Sequence, residues 1–374
     1  MTPSTSLPVP QTGERLLSLD FFRGVIMVIL VLGETGFFLK LYDATPNSFT
    51  HLLATQFEHS QWRGLRFWDL LLPAFMFVAG TAMAFSYNKQ KQLQYSWRQS
   101  FFKILKRSFW LLFWGVLIYA VRDNRLNLQF SNVLTELAFA TLITFLIIRW
   151  HPVWQLTVSI LLLLITELLF RFTHIPGFDQ PFTDQHNFGN YIDLVVIGRV
   201  NGHYGTTMNW IPCAASTIWG LMAGQLLLSN KSAKLKLSYL AGFGFIALII
   251  GFGLDWADIT PMLKWIASSS FVFANGGISI IALAVCYWWI DIGNHQRYLQ
   301  FFTIVGMNSI FIYLFFIFIG SGWLYGYANI LISGLLNLVN IPLTIGAVIS
   351  CLAVFTFEWC LCYFLFKKKL FFKL

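Results

Sequence analysis

The stretch Phe57–Gly80, FEHSQWRGLRFWDLLLPAFMFVAG, sets an imidazole and a carboxylate ten positions apart at the mouth of an apolar run. Histidine titrates near neutral pH and can take up or hand on a proton. To act as a general base it needs a partner that fixes its tautomer and tunes its pKa. His59 and Asp69 are the right residue types for that work, while Glu58 can point elsewhere. Trp62, Trp68 and Trp210 could stack on sugar faces, although tryptophan is also usual at a membrane interface. A loop histidine can equally be structural. The chain has no Gly-x-Ser-x-Gly elbow, no His-Glu-x-x-His and no P-loop.

Other ionisable residues fall inside apolar runs, where they are costly and are functional candidates by default. Asp20 and Arg23 are three apart and share a helix face. With Ser18 as an N-cap they suit either a capped helix start with a snorkelling arginine or a site for an anionic ligand. Glu34, Glu136 and Glu167 lie towards one end of their runs, and Glu358 lies towards the other end of the last one, near the lysine tail. Each suits an interfacial position or a cluster inside a bundle. Asn275 and Asn308 are helix-interior amides, which often only cross-link helices.

The elements that must position these residues follow from composition. The chain has 374 residues, 57% hydrophobic and only 11% charged, against about 25% charged in soluble domains. Apolar runs of roughly 20 residues match a hydrocarbon core of about 30 Å, and they do not alternate as barrel strands do. The expected fold is all-α: a polytopic membrane bundle of about ten helices. The expected spans are 19–39, 66–87, 108–122, 131–149, 153–171, 210–229, 237–254, 266–290, 301–320 and 342–366, with 323–340 a re-entrant helix or an eleventh span. One transmembrane domain, 19–366, would lie between a cytoplasmic segment 1–18 and a basic tail 367–374. The first run lacks a clean apolar core and a small-residue cleavage site, so it reads as a retained span rather than a signal peptide.

Lys and Arg number sixteen in the connections on the side of the N-terminus and eight on the other, with Arg23 inside the first span. The positive-inside rule then makes both termini cytoplasmic, and most of the net charge of +9 is a topology signal. No soluble face carries the basic and aromatic residues that nucleic-acid binding needs. Five cysteines, all in apolar runs, argue against a disulfide framework and a metal cluster. Two outer connections, 40–65 and 172–209, stand out. The second is rich in turn formers, His, Asp, Asn and aromatics, which suits either a sugar-like ligand or an interfacial cap.

The ordered set of short motifs is similar to the heparan-α-glucosaminide N-acetyltransferase-like family, within a wider superfamily of transmembrane acyltransferases. RLLSLDFFRGVIMVILV (15–31) resembles the family's opening Arg-x-x-Ser-x-Asp-x-x-Arg-Gly. The 57–80 stretch resembles its His-x-x-Trp-x-Gly-x-x-x-x-Asp-Leu-x-x-Pro segment. ILKRSFWLLFWGVLI (104–118), PMLKWIASSSFVFANGG (261–277) and FTIVGMNSIFIYL (302–314) follow in family order. The resemblance implies an enzyme that takes an acetyl group from cytosolic acetyl-CoA, with no metal, and places it on an amino sugar or glycan across the membrane. It maps the family's essential histidine onto His59, the accompanying carboxylate onto Asp69 and a late amide onto Asn308. Asn308, Ser270, Lys264 and Trp62 would help to hold the substrate or the oxyanion, and Arg15, Arg23, Lys106 and Arg107 would hold the CoA phosphates. It implies a multi-pass protein of the plasma (inner) membrane and allows a homodimer. His59 would act as general base on the acceptor, or as an acetyl carrier. Some family members have been linked to sugar uptake, so a permease and an inactive relative are the alternatives. The chain departs from the family pattern at Gly33 and Glu34, where an asparagine is usual, at Glu136, where a basic residue is usual, at 203–210, and at Met262 and Leu263.

Overall fold

The computed structural model describes residues 16–126, 128–201 and 205–372. Among them the chain is helical, and its one bridge of β type joins Arg63 to Leu263. Helix α1 (Leu17–Glu34) turns through 53° into α2 (Phe37–Ala44) at Gly36, whose φ of 75° suits glycine. Helix α3 (Ser48–Gln56) starts from a reciprocal cap between Asn47 and Thr50. Helix α4 (Phe67–Gln92) follows the His59 stretch. Capping boxes at Ser96/Gln99 and Asn132/Thr135 open α5 (Trp97–Arg122) and α6 (Val133–Leu146). Pro152 opens α7 (Pro152–Phe172), where a missing N–H costs nothing.

Helix α8 (Phe188–Ile197) lies in the long connection, and a 3-10 turn at Thr207–Asn209 leads into α9 (Trp210–Leu228). Helices α10 (Ala233–Trp256) and α11 (Ser269–Cys286) follow, and α11 runs on as a π-helical turn to Ile292. Then α12 (Gln300–Met307) breaks at Asn308. Helix α13 (Ser309–Phe315), a π-helical stretch (Phe316–Leu324) and α14 (Tyr325–Asn337) form one rod, and α15 (Leu343–Lys367) closes the chain.

Eight of these helical segments are long and apolar enough to cross a membrane, or nine if α1 with α2 counts as one span. The expected count of ten or eleven is therefore not reached among the described residues. Helix α6 has 14 residues and α12 has 8, roughly 21 Å and 12 Å at 1.5 Å per residue, too short for a 30 Å core. The stretch 323–340 is no separate span, because it continues the rod that begins at Ser309. The third expected span begins eleven residues early, at Trp97, since Ser96 caps it there. Ser18 does not cap α1. The helix begins at Leu17, and the Ser18 N–H donates instead to the Asp291 carboxylate at 3.3 Å.

In α4 and α9, 72% of the apolar window is buried, against 22–28% in α5, α7 and α10. So α4 and α9 form the centre, and the others carry the apolar outer surface. Glycine sets the centre's spacing. A Cβ on Gly80 would meet the Thr217 carbonyl at 2.0 Å, and one on Gly220 would meet that of Phe77 at 1.9 Å. Gly220 and Gly224 repeat at four residues, so the backbones of α4 and α9 touch along one stripe. Gly24 and Gly306 do the same between α1 and α12.

Candidate active site

Asp69 lies in the first turn of α4, and its side chain does two local jobs. One oxygen accepts the backbone N–H groups of Arg66 and Ser60, both at 3.2 Å, which caps the helix and pins the preceding loop. The other oxygen faces His59 Nδ1 at 2.9 Å. Four residues on, Pro73 lacks the N–H that would bond the Asp69 carbonyl. The Asn275 amide of α11 donates to that carbonyl instead, at 3.4 Å. A helix-interior asparagine thus steadies the turn that holds the carboxylate.

The connection between α10 and α11 brings a third group. Lys264 Nζ lies 3.3 Å from Asp69 Oδ1 and 3.1 Å from His59 Nε2, and it also contacts Nδ1. The loop is held by Arg63, which pairs with Asp255 at 3.0 Å and Asp258 at 2.7 Å, and by the Gly64 N–H on the Met262 carbonyl. Glu167 of α7 supports it from below by accepting from Thr260 and Ser269. Trp265 stands edge-on to His59, with centroids 5.3 Å apart, and its indole N–H reaches the carbonyls of Ser60 and Gln61.

Burial pushes the His59 pKa below its ordinary value, the Asp69 hydrogen bond opposes that, and the Lys264 charge adds to it. Burial likewise lowers the Lys264 pKa against the pull of Asp69, Glu136 and Glu34. The net shift favours the neutral imidazole. With Asp69 accepting from Nδ1–H, the lone pair lies on Nε2.

The other expected residues divide. Trp62 is not at the imidazole. Its indole donates to the Phe182 carbonyl at 2.7 Å and packs among Phe170, Met208 and Leu263, tying the 172–209 connection to this end. Ser270 is fully buried and its hydroxyl pairs with that of Ser268 at 3.1 Å. Asn308 sits at the α12/α13 break, where it holds the carbonyl of Leu370 and the N–H of Phe372. Those tail residues follow the end of α15 away from the histidine, so Asn308 is not brought to His59. Arg15 lies outside the described residues, and Lys106 is exposed. Arg23 pairs with Asp20 at 2.8 Å and comes within electrostatic reach of Arg107 on α5. Glu358 is buried, and neither of its oxygens has a hydrogen-bond partner among the described residues.

Two features escaped the sequence reading. Trp265 falls in the 261–277 motif but was not singled out there. The other is a face of α1: Asp20, Arg23, Met27, Leu30 and Glu34 alternate at three and four residues. Met27 and Leu30 line a narrow apolar cavity with Leu72, Phe75, Val133, Leu134, Ile310 and Tyr313. From Arg23 to Glu34 the helix rises roughly 16 Å at 1.5 Å per residue. Glu34 and Glu136 both act on Lys264, and both keep accessible surface although protein surrounds them. Guanidinium groups, an apolar slot and the imidazole are arranged in that order across the bundle.

The matches to known proteins fall on this frame. Residues 15–255 match the family model described as heparan-alpha-glucosaminide N-acetyltransferase, catalytic. The chain is 24% identical over 370 aligned residues to heparan-alpha-glucosaminide N-acetyltransferase of Mus musculus, covering 81% of this chain and 53% of that protein. It thus spans about half the length of this relative. The family match includes His59, Asp69, Arg23 and Arg107 and stops short of Lys264. With 241 of 374 residues inside that match, the chain belongs to the heparan-alpha-glucosaminide N-acetyltransferase catalytic family.

Proposed function

We propose that the chain is a transmembrane acetyltransferase that moves an acetyl group from cytosolic acetyl-CoA to an amino sugar or glycan on the outer side of the membrane. The observation that carries this reading is the imidazole of His59 held between the Asp69 carboxylate and the Lys264 side chain. His59 Nε2 takes the proton of the acceptor amine or hydroxyl. The acceptor atom then bonds to the thioester carbonyl carbon, and the C–S bond breaks. The thiolate leaves and recovers the proton from the imidazolium. Asp69 holds the tautomer and stabilises the imidazolium. Lys264, 3.1 Å from Nε2, is in reach of the oxyanion that forms beside it. Of the residues that the resemblance offered for the oxyanion, Lys264 is the one beside the imidazole.

The residues present fit acetyl-CoA as a substrate. Arg23 and Arg107 suit its phosphates. The apolar cavity along Met27 and Leu30 is only about 10 Å³, room for one water molecule, so a pantetheine arm needs the helices to part there. The positive-inside count supports an inner membrane location with Arg23 facing the cytosol.

The test uses the full chain in proteoliposomes with labelled acetyl-CoA and glucosamine. Label should appear on the sugar in the parent and fall by about 10²–10⁴-fold in His59→Ala. Label retained on the protein, and lost with His59, would indicate an acetyl-histidine step instead of direct transfer. The helix breaks at Gly36 and Asn308 favour a permease, since transporters bind solutes at broken helices. Uptake without CoA, unchanged in His59→Ala, would establish that reading and overturn the first.

A further inference from the structure

A second polar site lies at the His59 end, away from the imidazole. An open cavity of about 470 Å³ is lined by Arg122, Arg125, Arg199, Asp123, Gln129 and Asn201, with Val200. Among the described residues its lining holds three guanidinium groups and one carboxylate. Its floor is built rather than loose. Arg199 donates to Asp123 at 2.8 Å and to Gln129 at 3.3 Å. Gln129, itself 2% exposed, donates to Asn201 at 2.9 Å, and Asn201 in turn donates to Ser131 and to the Gly205 carbonyl. The Arg125 side chain makes no hydrogen bond to the described residues, which leaves its fork of donors for a ligand.

Two further observations narrow the ligand. Arg122 is the last residue of a candidate span, so the cavity opens at headgroup depth. Leu126, 81% exposed, lies beside Arg125 on the rim, and Val121 and Leu128 are exposed with it. Arginines that can bind an anion stand next to side chains that suit acyl or isoprenyl chains. Guanidinium forks match phosphate oxygens bidentately, and a lipid phosphate is anionic at pH 7 whether it ends as a monoester or carries a sugar as a diester. The floor is joined to the imidazole: the chain leaves Gly205, the Thr206 N–H and the Asn209 amide both bond the Trp265 carbonyl, and Trp265 stands against His59.

We propose that this arginine cavity binds the phosphate of a lipid-borne ligand at the membrane surface, and that it anchors a lipid-linked acceptor beside His59. The anchoring role rests on the transfer reading above, whereas the binding site does not.

The experiment is a thermal-shift titration of the full chain in neutral detergent, with polyisoprenyl monophosphate as probe and polyisoprenol and glucose 1-phosphate as controls. The lipid phosphate should raise Tm by several degrees in the parent and equally in His59→Ala, and neither control should do so at the same concentration. Arg125→Gln, and Arg125→Gln with Arg199→Gln, should need at least tenfold more probe. Arg125→Gln alone removes no internal bond and should keep the parent's Tm without ligand. An equal shift with polyisoprenol, or an unchanged titration in Arg125→Gln, would overturn the phosphate site. An equal shift with glucose 1-phosphate would overturn its lipid-borne character. Because His59→Ala keeps the site but not the transfer chemistry, failure of this proposal is separable from failure of the acetyltransferase reading.

Discussion

At the scale of single residues, His59 is defined by its two neighbours, which pull its protonation in opposite directions. The Asp69 hydrogen bond favours the imidazolium, while burial and Lys264 favour the neutral ring. A base whose pKa lies below the ordinary value stays competent through neutral pH and loses activity only as pH falls through its own pKa. Lys264→Met removes a charge that lowers the His59 pKa, so the acid limb of the kcat/KM profile should move to higher pH. The parent should also decline at alkaline pH, below the ordinary lysine value, as the depressed Lys264 pKa is passed. The Met variant should lack that second limb. A pH profile of both proteins checks these expectations, and coincident acid limbs would mean that Lys264 does not tune His59.

At the scale of elements, the site depends on close contacts between helices. Gly220→Val places a branched side chain against the Phe77 carbonyl, where even one added carbon lies at 1.9 Å. Separating α4 from α9 should cost about 1–3 kcal/mol or more, as overpacking does, and should appear as a lower Tm in detergent. Asn275→Leu should act on the same pair of ends more gently. It leaves the carbonyl freed by Pro73 unpaired, at a cost of about 1–3 kcal/mol. Its acetyl transfer should fall more than its Tm suggests, because the first turn of α4 carries Asp69. Equal proportional losses of stability and transfer would assign Asn275 a purely structural role.

At the scale of the molecule, the proposed transfer asks different work of the two ends of the bundle. Arg23 and Arg107 lie at the end away from His59, with the apolar slot between. Arg107→Gln should therefore raise the KM for acetyl-CoA with little change in kcat, and should leave the glycan KM unchanged, in steady-state assays on proteoliposomes. In sealed vesicles acetyl-CoA should be used only from the arginine side and the acceptor only from the histidine side. Transfer with both substrates on one side of a sealed vesicle would refute a path across the bundle.

Much of this was legible in the chain itself. Apolar runs of membrane length need no partner to be recognised, because the bilayer acts on each one alone. The His59 and Asp69 pair was also legible, since the turn of chain between them is local. Span count was not, because α6 and α12 are as apolar as a true span but are short and lie against other helices. Lys264 and Trp265 are some 200 residues from His59 in sequence, and only the docking of one connection on another, through Arg63 and the two aspartates, brings them to the imidazole. The same folding took Asn308 and Trp62 away from it, since each found a nearer backbone partner. The amino-acid sequence determines where the chain meets lipid and which groups can move a proton. The tertiary structure decides which of them meet, because that depends on helix contacts and loop pairings between residues far apart in the chain.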